Sequence, residues 1–413
     1  MADVRPFRAL RPRPDVAARV ASPPYDVLSS EEARVMAAGN PYAFLHVSKP
    51  EIDLSADVDL HSDEVYARGR ENLDRFVADG VLFRDAAPAY YLYEQQMGDH
   101  VQIGLVAGAS VEEYENNLIR KHELTRRDKE DDRTRHIDAL EAQTGPVFLT
   151  YKVRPEIDAI VSRLSTAPPT YDFVAPDGIQ HVVWVIADPR ERDRLVEAFA
   201  PVPEMYVADG HHRSAAATRV RAQRRQANPG HTGEEGYNFF LAVIFPHDQM
   251  QILDYNRVLK DLNGREPEAF LAQLRTSFEL TPVASGRPGR QRCFGMYLAG
   301  KWYRLTAKAG TYATDDPVQS LDVAILQDNL LGPVLGIGDP RKDERIDFVG
   351  GIRGLGELER LVDSGRFAVA FAVHPTSIEQ LFAVADAGRV MPPKSTWFEP
   401  KLRDGLIIRP LED

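Results

Sequence analysis

A chain of 413 residues and 46.2 kDa is long enough to bury a sizeable core and, at roughly 150 residues per domain, to form two or three units. Its 43% hydrophobic and 27% charged content excludes a disordered, collagenous or coiled-coil chain. Sixty-two acidic against 50 basic residues give a formal charge of -12, the wrong sign for a nucleic-acid-binding surface. A local basic pocket for a small anion stays open, because the field at a site is set by its neighbours.

Cys293 is the single cysteine, so no intrachain disulfide and no CxxC zinc site is possible. Residues 1–6 lack the charged-then-apolar pattern of a secretory signal. The longest apolar runs, 239–245 and 367–373, are seven residues long, where a membrane span needs about 20. These features point to a cytoplasmic protein with no membrane partner.

In chain order, Ser29-Ser30-Glu31-Glu32 predicts a capping box opening a short helix that closes at Gly39. Residues 65–79 predict a helix ending at Gly80, and 89–97 with 100–111 a hairpin turning at Gly98-Asp99. From 120 to 135 twelve of sixteen residues are charged, so this segment is expected to be solvated or to face an ionic ligand. A strand is expected over 145–153, a helix over 155–164, a strand over 181–187, and a helix opened by Asp188-Pro189. A short strand over 205–208 leads into an alanine-rich helix stopped by Asn228-Pro229-Gly230. Beyond it, 238–245 is expected to pair with 251–255 across His247-Asp248. There follow helices near 267–276, 321–331 and 355–362, an exposed loop over 287–292, a hairpin turning at Gly300 and a strand over 367–373. Hairpins outnumber strand-helix-strand units, which predicts an α+β protein with mixed or antiparallel sheets and flanking helices. The division falls near residue 230, giving portions 1–230 and 231–413.

The segment that carries chemistry is Met205-Tyr206-Val207-Ala208-Asp209-Gly210-His211-His212-Arg213-Ser214. A strand ends, a glycine permits a sharp turn, and a helix begins at once. The first N–H groups of a helix lack intrahelical partners and sit at its positive pole, so an anion is favoured there. Arg213 and two histidines in that first turn are unfavourable beside the same pole unless an anion occupies it. Adjacent helical histidines point about 100° apart and no HExxH is present, so no zinc site is expected. Tyr90, Tyr91 and Tyr93 alternate as strand residues and are assigned to packing.

Asp209-Gly210-His211-His212-Arg213 resembles the phosphate motif of free serine kinases in the ParB/sulfiredoxin superfamily. Across nearly its whole length the chain is also similar to a bacterial family of unknown function, the one numbered one thousand and fifteen. The segments that carry this are Ala21-Ser22-Pro23-Pro24-Tyr25-Asp26-Val27, Asn40-Pro41-Tyr42, Lys121-His122-Glu123-Leu124-Thr125, the DGHHR stretch and Met391-Pro392-Pro393-Lys394-Ser395-Thr396. The kinase resemblance implies a ParB/sulfiredoxin-like, phosphate-binding core within 1–230 carrying N-terminal additions, with an α+β portion over 231–413 packed against it.

It further implies phosphoryl transfer between a nucleotide or pyrophosphate and free L-serine or a similar small hydroxylated amino acid, in either direction, with Mg2+ accompanying the donor and no tightly bound organic cofactor. Sulfiredoxin has cysteine where His211 stands, so sulfinic acid reduction is not implied. The resemblance assigns Gly210, His211, His212, Arg213 and Ser214 to the donor phosphates, and places Asp209, His211 and His212 among the catalytic residues, with Asp209 orienting a histidine or magnesium. An upstream glutamate is the catalytic base, for which Glu123 is the candidate, with Arg120 and Lys121 neutralising phosphate charge. Asp131 and Asp132 are candidates for water-mediated magnesium contacts. Lys394 and Thr396, after a rigid Pro-Pro pair, are candidates for substrate binding. A noncatalytic nucleotide sensor using the same loop is the competing expectation, and no oligomeric state is assigned.

Overall fold

The computed structural model describes residues 2–412 and separates into two compact units, Met1–Met250 with Pro400–Asp413, and Gln251–Glu399. The first is built on a nine-stranded sheet. Its strands are β1 (Val4–Arg5), β2 (Tyr90–Met97), β3 (His100–Ser110), β4 (Ile119–Arg120), β5 (Val147–Tyr151), β6 (Tyr171–Val174), β7 (Gln180–Ile186), β8 (Met205–Asp209) and β9 (Phe239–Pro246). They lie in the order β4-β8-β5-β9-β3-β2-β7-β6, with β1 paired to β3. The pairs β8 to β4 and β9 to β5 are parallel and the other pairs antiparallel, so the mixed α+β class expected from the sequence is what the chain adopts.

One expected pairing is overturned. Residues 238–245 do not form a hairpin with 251–255. Every residue of β9 is buried, and the strand lies between β3 and β5 in the middle of the sheet. A run of Phe-Phe-Leu-Ala-Val-Ile-Phe has apolar side chains for both faces and belongs in such a place. Gln251–Leu253 pairs instead with Trp397–Glu399 in the second unit. The first unit therefore runs past residue 230 and also takes back the last residues of the chain.

The longer helices of this unit are α1 (Ser30–Ala37), α2 (Asp63–Ala78), α3 (Arg127–Leu140), α4 (Pro155–Leu164), α5 (Pro189–Phe199) and α6 (His211–Ala227). Both halves of the Ser29/Glu32 capping box form. Ile157 and Val161 of α4 and Leu195 and Phe199 of α5 pack into the sheet core with Leu105, Tyr151 and Ile244. The charged segment, read as solvated or ligand-facing, becomes α3, whose charges pair across neighbouring helices. Asp132 accepts from the Tyr66 hydroxyl of α2 at 2.8 Å, Asp131 pairs with Arg219, and Asp138 with Arg224 of α6 at 2.7 Å. Among the described residues, no helix is long and apolar enough to cross a membrane.

Residues 401–411 form a strap along the first unit. Ser22 and Asp404 exchange backbone hydrogen bonds at 3.1 and 2.9 Å, Leu10 and Ile408 do so at 3.0 and 2.9 Å, and the Leu411 N–H reaches Glu141 O at 2.8 Å. Gly405, at φ +86, holds the bend, and a Cβ there would lie 2.5 Å from Cγ of the buried Phe44 ring. Gly405→Ala combines left-handed strain with overpacking and is expected to cost about 2–3 kcal/mol, read as a lowered urea midpoint with unchanged m-value.

The second unit is a six-stranded antiparallel sheet. Its strands β10 (Tyr255–Leu259), β11 (Phe278–Val283), β12 (Cys293–Leu298), β13 (Lys301–Ala307), β14 (Ile346–Gly350) and β15 (Val369–Val373) run in the order β11-β13-β12-β15-β10-β14. Helix α7 (Gly354–Asp363) packs Leu358, Leu361 and Val362 against Val258, Ala370 and Ala372.

Candidate functional site

Strand directions determine which loops meet. Because β4 runs parallel to β8, with Tyr206 beside Arg120, the loop after β4 and the turn after β8 emerge at one edge. Strand β5 runs antiparallel to β8, so its entry, Gly145-Pro146, lies at that edge too. Gly210 makes the turn at φ +96 and α6 starts without a side-chain cap. That positive φ favours glycine.

Arg213, expected to grip phosphate, is buried and engaged. One terminal nitrogen donates to Pro146 O and the other to Asp26 Oδ2 at 3.0 Å, while its Nε has no partner. It thus fastens the Ser22-Pro23-Pro24-Tyr25-Asp26 segment to the turn. Burial opposes its charge, and Asp26 and Asp209 hold its pKa above the ordinary value. The Ser214 hydroxyl turns back to donate to Gly210 O at 3.2 Å.

His211 is 4% exposed and lies edge-on to His122, 1% exposed, with ring centroids 4.4 Å apart. His211 Nε2 is buried without a hydrogen-bond partner, an uncommon and costly state for a polar atom, while the His122 ring lies against the Val207 backbone. Burial pushes the His122 pKa down to about 4. Burial, reinforced by His122, drives that of His211 well below the ordinary value, so both rings are neutral at pH 7. Glu123 is exposed, and its Oε2 stands 3.8 Å from His211 Nδ1, beyond hydrogen-bond length. His212 Nε2 accepts the Arg126 N–H at 3.1 Å, which places its ring proton on Nδ1. Burial lowers its pKa as well.

Asp209 Oδ1 accepts the Gly210 N–H at 2.8 Å, and its Oδ2 pairs with Lys401 Nζ of the strap at 2.9 Å. Burial works against its charge, but Lys401 and Arg213 hold it ionised, far below the usual carboxylate range. Asp404, 1% exposed, lies near the Arg213 and Arg133 charges and the Tyr25 N–H. Its Oδ1 and Arg213 Cδ lie 3.2 and 3.4 Å from where a Gly145 Cβ would stand. Sequence reading missed both strap residues. Lys401 is 192 positions from Asp209, and nothing local in Pro-Lys-Leu-Arg-Asp marks it.

The structure thus gathers Glu123, Asp209, Gly210, His211, His212, Arg213 and Ser214 at one edge and adds His122, Asp26, Lys401 and Asp404. Arg120 is directed instead to Glu204 at 3.1 Å, and Lys121 lies 4.2 Å over the Tyr114 ring. Lys394 and Thr396 belong to the second unit. There Lys394 sits at φ +58, its carbonyl accepts from Arg257 at 3.0 Å, and its ammonium lies 5.4 Å from the Tyr255 ring centroid. Asp131 and Asp132 are committed to the helix contacts above. Among the described residues, no group of three or more His, Cys, Asp or Glu is placed to hold a metal ion.

The family model described as Protein of unknown function (DUF1015) matches residues 4–324. The chain belongs to that family. Within the DUF1015 match lie the SPPYD, KHELT and DGHHR segments, while the strap lies beyond it. No curated protein matches the chain. Solved structures similar to this DUF1015 protein include a conserved hypothetical protein from Pyrococcus furiosus, at 11% identity over 74% of this chain and 95% of the other, with a TM-score of 0.36. A free serine kinase variant in complex with ADP is similar at 12% identity over 73% and 92%, with a TM-score of 0.36. SbnI with a C-terminal truncation, from Staphylococcus aureus, is similar at 12% identity over 74% and 87%, with a TM-score of 0.33.

Proposed function

We propose that this DUF1015 protein is a phosphotransferase acting between a nucleotide or pyrophosphate and the hydroxyl of free L-serine or a similar small amino acid. The observation that carries the reading is the meeting of an uncapped helix N-terminus at Gly210-His211 with an exposed carboxylate, Glu123, 3.8 Å from His211. The free amides of α6 receive donor phosphate oxygens, and the neutral rings of His211 and His212 border them. Arg213 contributes charge through space and fixes the turn. In the forward direction Glu123 takes the proton from the acceptor hydroxyl, whose oxygen bonds to the terminal phosphorus as the bond to the departing phosphate breaks. The reverse reaction, removing phosphate from phosphoserine, uses the same groups. Mg2+ enters with the donor phosphates, where it offsets their charge.

The test is incubation of the full chain with Mg2+, L-serine and each of ADP, ATP and pyrophosphate, followed by mass spectrometry. Phosphoserine is expected with at least one donor. No phosphoserine with any donor, together with no loss of phosphoserine in the reverse assay, refutes the serine assignment. Donor binding without turnover identifies a nucleotide sensor instead.

A further inference from the structure

Every cation near this site already has a partner, Lys401 included, but only the partner of Lys401, Asp209, belongs to the Asp209-Gly210 turn itself. Arg213 holds Pro146 O and Asp26, Arg120 holds Glu204, and Lys121 lies on the Tyr114 ring. Phosphoryl transfer still requires positive charge beside the moving group. Lys401 meets that need from an unexpected part of the chain. Its ammonium bonds Asp209, which in turn accepts from the Gly210 N–H, so it stands at the turn whose next amides open α6. The Lys401 and Asp209 side chains retain 18% and 31% exposure, which leaves the pair accessible at the edge where Glu123 lies. At the first residue of α6, His211 Nε2 is buried and unpartnered, a second sign that polar ligand atoms belong here.

The strap is held by contacts independent of Lys401's charge. The Gln95 amide donates to Lys401 O at 2.9 Å. Arg403 Nε donates to His181 Nε2 at 3.2 Å, and its guanidinium pairs with Asp177. The His181 ring is fixed in turn by the Tyr93 hydroxyl at 2.8 Å. These contacts hold the strap's backbone in addition to the Lys401–Asp209 ion pair.

We propose that Lys401 is the phosphate-binding cation of this site, contacting the donor's phosphate oxygens, so that the C-terminal strap is part of the anion site. The proposal rests on the phosphotransfer reading of the same site. A lysine ammonium serves polyphosphate as a point charge and tolerates either a nucleotide or free pyrophosphate.

Calorimetry of the full chain with pyrophosphate and with ADP, each with and without Mg2+, tests it. Lys401→Met is expected to weaken both ligands by about 10- to 100-fold, as for loss of a charge-assisted hydrogen bond, and to flatten the salt dependence of binding. Lys401→Arg recovers most of the affinity. Should the methionine variant fold poorly, Lys401→Gln keeps a hydrogen-bond donor for Asp209 without the charge and is expected to show the same loss. Wild-type affinity and salt dependence in Lys401→Gln or Lys401→Met, whatever their thermal stability, make Lys401 a strap anchor and overturn the proposal while leaving phosphotransfer intact. Failure of the wild-type chain to bind either ligand overturns both.

Discussion

Glu123→Gln is expected to lower kcat for serine phosphorylation by about 10²- to 10⁴-fold, the range general-base catalysis supplies, with donor affinity changed by less than about threefold. The substitution keeps the size of the side chain while removing its charge and basicity and turning one acceptor oxygen into a donor. Glu123 lies on the exposed loop after β4, at 47% side-chain exposure, so folding stability is expected to stay within about 0.5 kcal/mol. A fall in turnover therefore reports chemistry. Single-turnover assays separate this from product release, and calorimetry supplies the affinity. Unchanged turnover dismisses Glu123 as the base. A protein that binds donor equally well with either residue and never turns over is the sensor.

How the site was readable, and where it was not, follows from the range of the interactions. The DGHHR turn was legible because its determinants are local. An apolar strand, a glycine free to take φ +96 and an alanine-rich helix fall within consecutive residues, and the structure places β8 and α6 there. Glu123 joins them because β4 and β8 are parallel neighbours, a fact no local pattern contains. Strand β9 was mispaired for a related reason. Its unbroken apolar run shows that it is buried on both faces without saying between which strands. The charges of α3 looked solvated because a helix whose face meets Arg219, Arg224 and Tyr66 has no apolar stripe to reveal it. The expected roles of Arg120 and Lys121 assumed that cations near a motif face the ligand, whereas Glu204 and the Tyr114 ring were closer. Lys401 and Asp404 had no local signal, since each is defined by partners far away in sequence.

Asp404→Asn is expected to become more stable relative to wild type as pH rises, by roughly 4 kcal/mol between pH 4 and pH 8. Burial, helped by the negative charge of Asp26 and opposed by Arg213, pushes the Asp404 carboxyl up to about 7 from 3.8. Between those values the folded chain keeps a proton that the unfolded chain has released, so wild-type stability falls with rising pH across that window and levels off above it. Asparagine does not titrate, and the stability difference between the two chains therefore isolates the carboxyl. The subtraction matters because buried imidazoles act in the opposite sense. Burial lowers His122 to about 4 and His181 to about 3, so the unfolded chain binds protons below about 6.5 that the folded chain refuses, and stability is lost as pH falls. Urea titrations of both chains at several pH values read the difference directly. A constant offset across pH 4–8 would mean that Arg213 already compensates the Asp404 charge in the folded state. The expected slope would instead mean that burial of the strap carboxyl outweighs the Arg213 and Arg133 charges and the Tyr25 N–H beside it.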